Sequence, residues 1–350
     1  MLEKNELFQL MKATALADRS NPVAYSFNGE NLSYDALNQT LRNELNEYAK
    51  DYATFRENKN MIFSLIEQTI DIVMPKKVLE NYGQFAETKT FAQGDKPIFT
   101  LRGNYHNRAK QFITRVGLAG IYEVFKLGKE RGFELQTSAI GGAAAIGFEE
   151  FLDGRVDFNE VTRIVMEGMD DLIYKEIAQA FKSTINQLPE ANRVEAAGFD
   201  EASFDRLLSV AAAYGTPTIY CTYEFAVKMV PAQNWVSDAM KNEKWQNGYF
   251  TNYKGYRVII LPQSFEDETN SKKVIDPGYV WIIPSGHEKP VKIAFEGGTI
   301  VDEYQGKDRS REMQVYKKVG VGVIATPDLC VYVDSELKGQ MDVLKGYINL

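Results

Sequence analysis

Residues 157–189 read DFNEVTRIVMEGMDDLIYKEIAQAFKSTINQLP, and this stretch decides the fold. Asp157 stands where a helix would be capped, with Glu160 three residues on, the spacing of a capping box. Val161, Ile164, Val165, Met169, Leu172, Ile173, Ile177, Ala180, Phe181, Ile185 and Leu188 then recur every three or four residues until Pro189 closes the run. The spacing predicts one helix over residues 157–188, about 45 Å long at 1.5 Å per residue, much longer than the usual three turns. Its packing face is predicted as Ile164, Val165, Leu172, Ile173, Ile177 and Phe181. Gly168 within it costs about 1 kcal/mol relative to alanine. It serves a bend or a close contact, or it is a surface residue that the helix tolerates.

Upstream, residues 1–75 read as three helices. Leu7, Leu10, Met11 and Thr14 follow Asn5 as a cap. Tyr34, Leu37, Leu41, Leu45, Tyr48, Tyr52 and Phe55 follow Ser33. Ile62, Phe63, Ile66, Ile70 and Val73 stop at Pro75. Each has a narrow apolar stripe, which lies either in a core of its own or on a neighbouring subunit. Between these helices and the long one the pattern becomes strand-like. Ile98–Arg102 is one strand. Residues 121–127 and 133–137 alternate around Gly128-Lys129-Glu130-Arg131-Gly132, which predicts a β-hairpin; an amphipathic helix over 121–130 is the competing reading. Gly141, Gly142 and Gly147 sit in a run of small residues that reads as a hinge before the long helix. Downstream of residue 199 helices and strands mix. Helices are expected over 200–214 and 223–230. Strands are expected over 218–222, 256–261, 279–283, 291–295, 313–319, 321–325 and 330–333.

Composition narrows the function. A chain of 350 residues with 44% apolar and 25% charged residues is an ordinary globular one, so bulk disorder is not expected. A net charge of -8 argues against a dedicated nucleic-acid binder. Cys221 and Cys330 lie far apart in apolar strand contexts and predict buried thiols in a reducing compartment. The amino-terminal residues are too acidic for a signal peptide, and no apolar run is long enough to cross a membrane.

Candidate chemistry is sparse. Gly141-Gly142 with Gly147 lacks the Gly-Lys-Ser/Thr of a phosphate-binding loop. Glu149, Glu150 and Asp153 read as a solvated turn rather than a glycosidase pair. Glu266-Asp267-Glu268 reads as a loop tip before a calcium site. His106 and His287 read as surface residues. Lys12, Arg19, Lys50, Arg56, Lys59, Lys76 and Lys77 fit either ordinary surface pairing or non-specific phosphate contacts. No catalytic residue, cofactor site or metal site is predicted.

A helical arm, a hairpin and a long helix ahead of a compact α/β region are each marginal alone, and they are expected either to pack on other copies or to fold back onto their own core. In this order the parts resemble the major capsid proteins of tailed bacteriophages with the HK97 fold. The quoted residues carry the resemblance: Pro75-Lys76-Lys77-Val78 at the arm junction, Gln93-Gly94-Asp95-Lys96 entering the hairpin, 157–188 as the spine helix, and Asn252-Tyr253-Lys254-Gly255-Tyr256 leading into a central strand. Thr326-Pro327-Asp328 turns the closing strands.

The resemblance implies an α+β chain with an N-terminal helical arm (1–80) and an extended hairpin, the E-loop, with its flanking strands (81–150). A spine helix (151–198) joins residues 309–350 in a peripheral domain, and an α/β axial domain spans 199–308. It places Lys126, Gly128, Lys129, Glu130, Arg131 and Gly132 at the E-loop tip as assembly contacts. It further implies a structural protein of the virion, made in the bacterial cytoplasm. Copies would form pentamers and hexamers in an icosahedral shell around double-stranded DNA, with portal, scaffolding and decoration proteins as partners. The lysine-to-asparagine crosslinking of some members is not carried over, because no partner asparagine or catalytic glutamate is evident. An encapsulin-like compartment is the near alternative, and a cytosolic α/β hydrolase or transferase built on 199–306 is the distant one.

Overall fold

A computed structural model describes residues 2–17, 25–27, 30–101, 131–145, 158–230, 237–285, 288–305 and 311–340. Helix α1 (Lys4–Leu16) is capped by Glu3 in a capping box with Glu6, not by Asn5, and it buries the expected Leu7, Leu10, Met11 and Thr14. A small antiparallel pair follows, β1 (Tyr25–Phe27) and β2 (Glu30–Leu32). Ser33 caps α2 (Tyr34–Tyr48) by accepting from Ala36 N–H.

The next boundary departs from the sequence reading. Asp51 accepts from Thr54 N–H and starts a new helix, α3 (Tyr52–Tyr82), so Phe55 belongs to α3 rather than α2. Helix α3 also runs through Pro75. A proline in a helix interior forfeits one backbone hydrogen bond. Here Val73, Met74 and Val78 around it are buried, and that packing holds the helix continuous.

The chain continues with β3 (Ala86–Phe91), β4 (Ile98–Leu101), β5 (Arg131–Glu134), β6 (Ser138–Ala145) and the long helix α4 (Phe158–Thr184). After it come β7 (Arg193–Ala196), α5 (Glu201–Ala212), β8 (Pro217–Cys221), α6 (Tyr223–Lys228) and α7 (Asp238–Asn247). The remaining strands are β9 (Asn252–Tyr253), β10 (Tyr256–Ile260), β11 (Tyr279–Pro284), β12 (Val291–Gln305), β13 (Arg311–Val323) and β14 (Cys330–Asp334). Residues 313–319 and 321–325, read from sequence as two strands, form the single strand β13, which pairs with β12 over nearly its whole length.

Two sheets organise these elements. One has the order β3-β12-β13-β6, and the other β7-β14-β11-β8-β10-β9. The boundary drawn at 199–308 does not follow them. Strand β12 lies in the four-stranded sheet, and β14 lies in the six-stranded sheet beside β11 and β7. Both placements follow from burial: Val291, Ile293 and Phe295 join the core of α3 and α4, whereas Cys330 and Tyr332 join the core under α5.

Helix α4 spans the junction. Met166, Met169, Ile173, Tyr174, Ile177 and Phe181 form its buried seam. Tyr174 stacks on Tyr82 at the end of α3, and Phe181 meets Trp281 of the six-stranded sheet with ring centroids 4.5 Å apart. The three N-terminal helices bury their stripes in the same core as the four-stranded sheet, so the arm packs on its own chain.

Candidate assembly surfaces

The described residues contain no group of three His, Cys, Asp or Glu side chains placed to hold a metal. Burial pushes the thiols of Cys221 and Cys330 up to about 12, so neither is a poised nucleophile. The cavity between α4 and the six-stranded sheet is lined by Phe85, Phe181, Tyr220 and Trp281 among other apolar residues. Its two charged residues, Lys182 and Asp276, pair with each other at 3.0 Å. That cavity has none of the converging free polar groups that an enzyme site requires. The acidic loop is likewise self-satisfied: Asp267 accepts from the N–H groups of Ser271 and Lys272, and Glu266 pairs with Lys175.

Exposed parts remain. Strands β4 and β5 form a two-stranded antiparallel ribbon, with Leu101 opposite Arg131 and Ile98 opposite Glu134. Its root is fixed by Phe99, fully buried against Leu135 and Ala294, with the Lys89 ammonium 5.0 Å from the ring centre. Arg131 and Gly132 are therefore strand residues, not turn residues. The segment 131–134 pairs with 98–101, and Phe99 and Phe133 share one small core; residues 121–127, the expected hairpin partner, lie outside the described residues. Gly132 lets the strands close up, since a Cβ there would stand 3.1 Å from Ile98. Lys126, Gly128, Lys129 and Glu130 lie outside the described residues.

The expected hinge is also different. Gly141 and Gly142 are ladder residues of β6, opposite Tyr316 and Val315. A Cβ on Gly141 would stand 2.5 Å from the Val315 carbonyl oxygen, so the glycine is there for close strand approach. Gly147 lies outside the described residues, as do Glu149, Glu150, Asp153, His106 and His287.

On α4 the predicted packing face divides. Ile173, Ile177 and Phe181 are buried and Val165 is half-buried, but Ile164 is 56% exposed and Leu172 39% exposed. Ile164, Gly168 and Leu172 stand four residues apart and share one outward stripe. Among the described residues nothing lies within 4 Å of a Cβ built on Gly168, so the glycine is an open notch in that stripe. At the far end of the six-stranded sheet, Trp245 on α7 is 90% exposed.

Two buried lysines were not anticipated. Lys292 sits between Glu87 and Glu288 at 2.5 and 3.0 Å, and Lys317 lies 2.5 Å from Asp71. The signal was present for Lys317, which occupies the same strand face as Met313, Val315 and Val319, all buried. Of the N-terminal cations, Lys59 pairs with Glu303 and Lys76 with Glu80, which fits surface pairing.

A sequence profile described as SPbeta prophage-derived putative capsid protein YonB matches residues 6–331. The chain belongs to the YonB capsid protein family. The family is that of a structural shell protein, not an enzyme, and the mixed helix-and-sheet fold accords with it. No curated protein sequence matches the chain. Among solved structures it is similar to the mature capsid of bacteriophage PhiM1, at 9% identity over 73% of this chain and 87% of that one, with a TM-score of 0.49. The capsid of cyanophage P-SCSP1u is similar at 10% identity over 72% and 86%, with a TM-score of 0.47. The capsid of Helicobacter pylori bacteriophage KHP30 is similar at 12% identity over 73% and 90%, with a TM-score of 0.44. The YonB-family match, which runs from α1 to β14, carries the assignment.

Proposed function

We propose that this YonB-family chain is a major capsid protein whose copies form pentamers and hexamers and close into an icosahedral shell around double-stranded DNA. The family match over residues 6–331 carries this reading. The exposed surfaces support it. Ile164 and Leu172 on α4, Ile98 on the β4–β5 ribbon and Trp245 are exposed apolar side chains available to a neighbouring copy, and aromatic residues are enriched where proteins meet. In this reading the ribbon and residues 102–130 form the E-loop, which lies over a neighbouring copy. Residues 193–284 close around the symmetry axes. DNA contact is non-specific and weak, in keeping with the net charge of -8. Synthesis takes place in the host cytoplasm, with portal and scaffolding proteins as partners.

The test is the particle size of the purified chain by sedimentation and negative-stain imaging, alongside a variant lacking residues 128–130, which spares the β5 residues Arg131 and Gly132. The intact chain is expected to give rings, tubes or closed particles tens of nanometres across, on the order of known shells of such subunits. The deletion is expected to leave a folded subunit that does not close. Normal shells from the deletion variant would remove the E-loop assignment. A monomer that stays monomeric with scaffold supplied would remove the shell reading.

A further inference from the structure

The four-stranded sheet changes character along one transverse line. Strand β12 pairs with β13 from Val291 to Glu296, loses register, and resumes at Ile300. Gly297, Gly298 and Thr299 thus stand opposite Lys317 alone, an enlarged β-bulge. Gly297 has φ +69°, a left-handed conformation that favours glycine. Strand β3 accompanies β12 only as far as Glu296. On the other side, β6 places Ile140 opposite Lys317, and its next two residues are Gly141 and Gly142. Glycines on both flanking strands therefore border the line that passes through Lys317, and glycine within strands weakens them.

Beyond that line lie three strand segments: 141–145, 300–305 and 311–316. Among the described residues no fourth strand covers the open edge of β12 there. Helix α3 substitutes for one. Asp71 Oδ1 accepts from Thr299 N–H at 2.8 Å, from Thr299 Oγ1 at 2.6 Å and from Lys317 Nζ at 2.5 Å. One turn earlier on α3, Glu67 accepts from Val301 N–H at 2.9 Å, and two turns before that Lys59 pairs with Glu303. These three residues recur at helical spacing on one face of α3 and meet β12 in reverse order. Asp71 and Glu67 satisfy the edge N–H groups of Thr299 and Val301, which a neighbouring strand would otherwise have taken, and Lys59 adds an ion pair to the Glu303 side chain. The segment beyond the line also carries Tyr304 and Tyr316, both exposed.

We propose that residues 141–145, 300–305 and 311–316 form a flap that pivots on this glycine line and is latched to α3 by Asp71, Glu67 and Lys59. The latch is polar and lies at the open edge, and among the described flap residues only Val301, Met313 and Val315 are buried apolar side chains, whereas Ile140, Val291, Ile293, Ala294, Phe295 and Val319 hold the rest of the sheet, so the flap opens at lower free energy than the sheet as a whole. A subunit with such a flap can meet neighbours at different angles without altering its core. The inference rests on contacts within one chain and does not depend on what shell is built.

Hydrogen exchange of the full chain, read peptide by peptide, tests it. In Asp71→Ala, exchange over the flap is expected to rise about ten-fold, the effect of losing an edge hydrogen-bond cluster, while 86–91 and 291–296 stay within about two-fold of wild type. Because Asp71→Ala strands a buried lysine and is at risk of not folding, a second variant combines Asp71→Leu with Lys317→Met. That pair keeps the core neutral and still removes the acceptor of Thr299 N–H. It is expected to show the same flap-limited rise. Glu67→Gln, which leaves Lys317 paired, is expected to raise exchange over 300–305 by a smaller factor. Unchanged flap exchange in the double variant, or an equal rise over 86–91 and 291–296, would overturn the proposal. A failure of the chain to form particles would bear on the shell reading and leave these ratios untouched.

Discussion

The two sheets solve the same burial problem with opposite materials. The six-stranded sheet has strands of two to six residues around an aromatic core. Phe204 lies at its centre, with the rings of Phe199, Tyr253 and Tyr332 each 5.4 Å away. The four-stranded sheet has strands of 13 and 15 residues and is threaded with charge. Lys292 lies between Glu87 and Glu288, Lys317 faces Asp71, and Glu296 is shared by Thr137, Gly94 and Lys318. Rings pack by shape and gain from every contact. Buried ion pairs gain little net stability, because desolvation offsets their attraction, but they fix which element lies opposite which. The comparison assigns stability to the six-stranded half and positional control to the four-stranded half. Long strands reaching outward suit a part whose placement matters, and short strands under a ring cluster suit a part that must stay folded.

The largest effect that would sharpen this contrast is Phe204→Ala. It removes a ring with no exposure from the centre of the cluster. A loss of about 3–5 kcal/mol is expected from transfer and cavity terms together. Denaturant unfolding followed by amide exchange should show β8, β11 and β14 opening first. A loss below about 1 kcal/mol would mean that the aromatic cluster is not what holds this half together.

A smaller effect belongs to Glu296 and appears only in acid. The Thr137 hydroxyl, the Gly94 N–H and the Lys318 ammonium hold its carboxyl below the usual range. A carboxylate with a lowered folded pKa contributes stability that is fully present above its unfolded value, about 4.3, and is lost as pH falls through the folded value. Glu296→Gln should therefore be less stable than wild type at pH 7, and the gap should close as the pH is lowered below about 4. Matched denaturant midpoints between pH 7 and pH 3 measure it. A gap that is constant with pH would show that shape, not charge, is what Glu296 supplies. Phe204→Ala serves as the control, since its loss has no titrating group and should not change over the same range.

The same contrast explains what could be read from the sequence. Periodicity located α4 to within a few residues, because an uninterrupted stripe from Met166 to Phe181 is a one-dimensional signal. It located most strands of the six-stranded half, whose short apolar runs end at Pro, Gly or Asp. It went wrong where the deciding partner is remote in sequence. Pro75 looked like a stop, yet packing carries α3 through it. Gly141 and Gly142 looked like a hinge in a loop, yet β13 takes them into a ladder. The pairing of 131–134 with 98–101, made by Phe99 and Phe133, had no local signal in the sequence. Ile164 and Leu172 had the right spacing for the core but lie on the wrong side of the stripe. Periodicity gives a face and does not say whether that face is covered by the same chain or by another.

That last ambiguity sets the smallest and most discriminating prediction. Gly168→Ala adds a methyl group to an exposed helix position with nothing within 4 Å. Helix propensity alone should stabilise the isolated chain by up to about 1 kcal/mol, a rise in melting temperature of roughly 1–3 °C for a chain of this size. If the Ile164–Gly168–Leu172 stripe receives a side chain from a neighbouring copy, the same methyl fills the notch, and assembly should slow even though the subunit is more stable. Stability and assembly would then move in opposite directions. No contact within one chain produces that result, since a better-folded subunit should otherwise assemble at least as well. Melting temperature and the rate of particle formation, measured on one preparation, decide it. A rise in the first with no change in the second would place this stripe against solvent in the finished shell and leave Trp245 and the β4–β5 ribbon as the surfaces to probe.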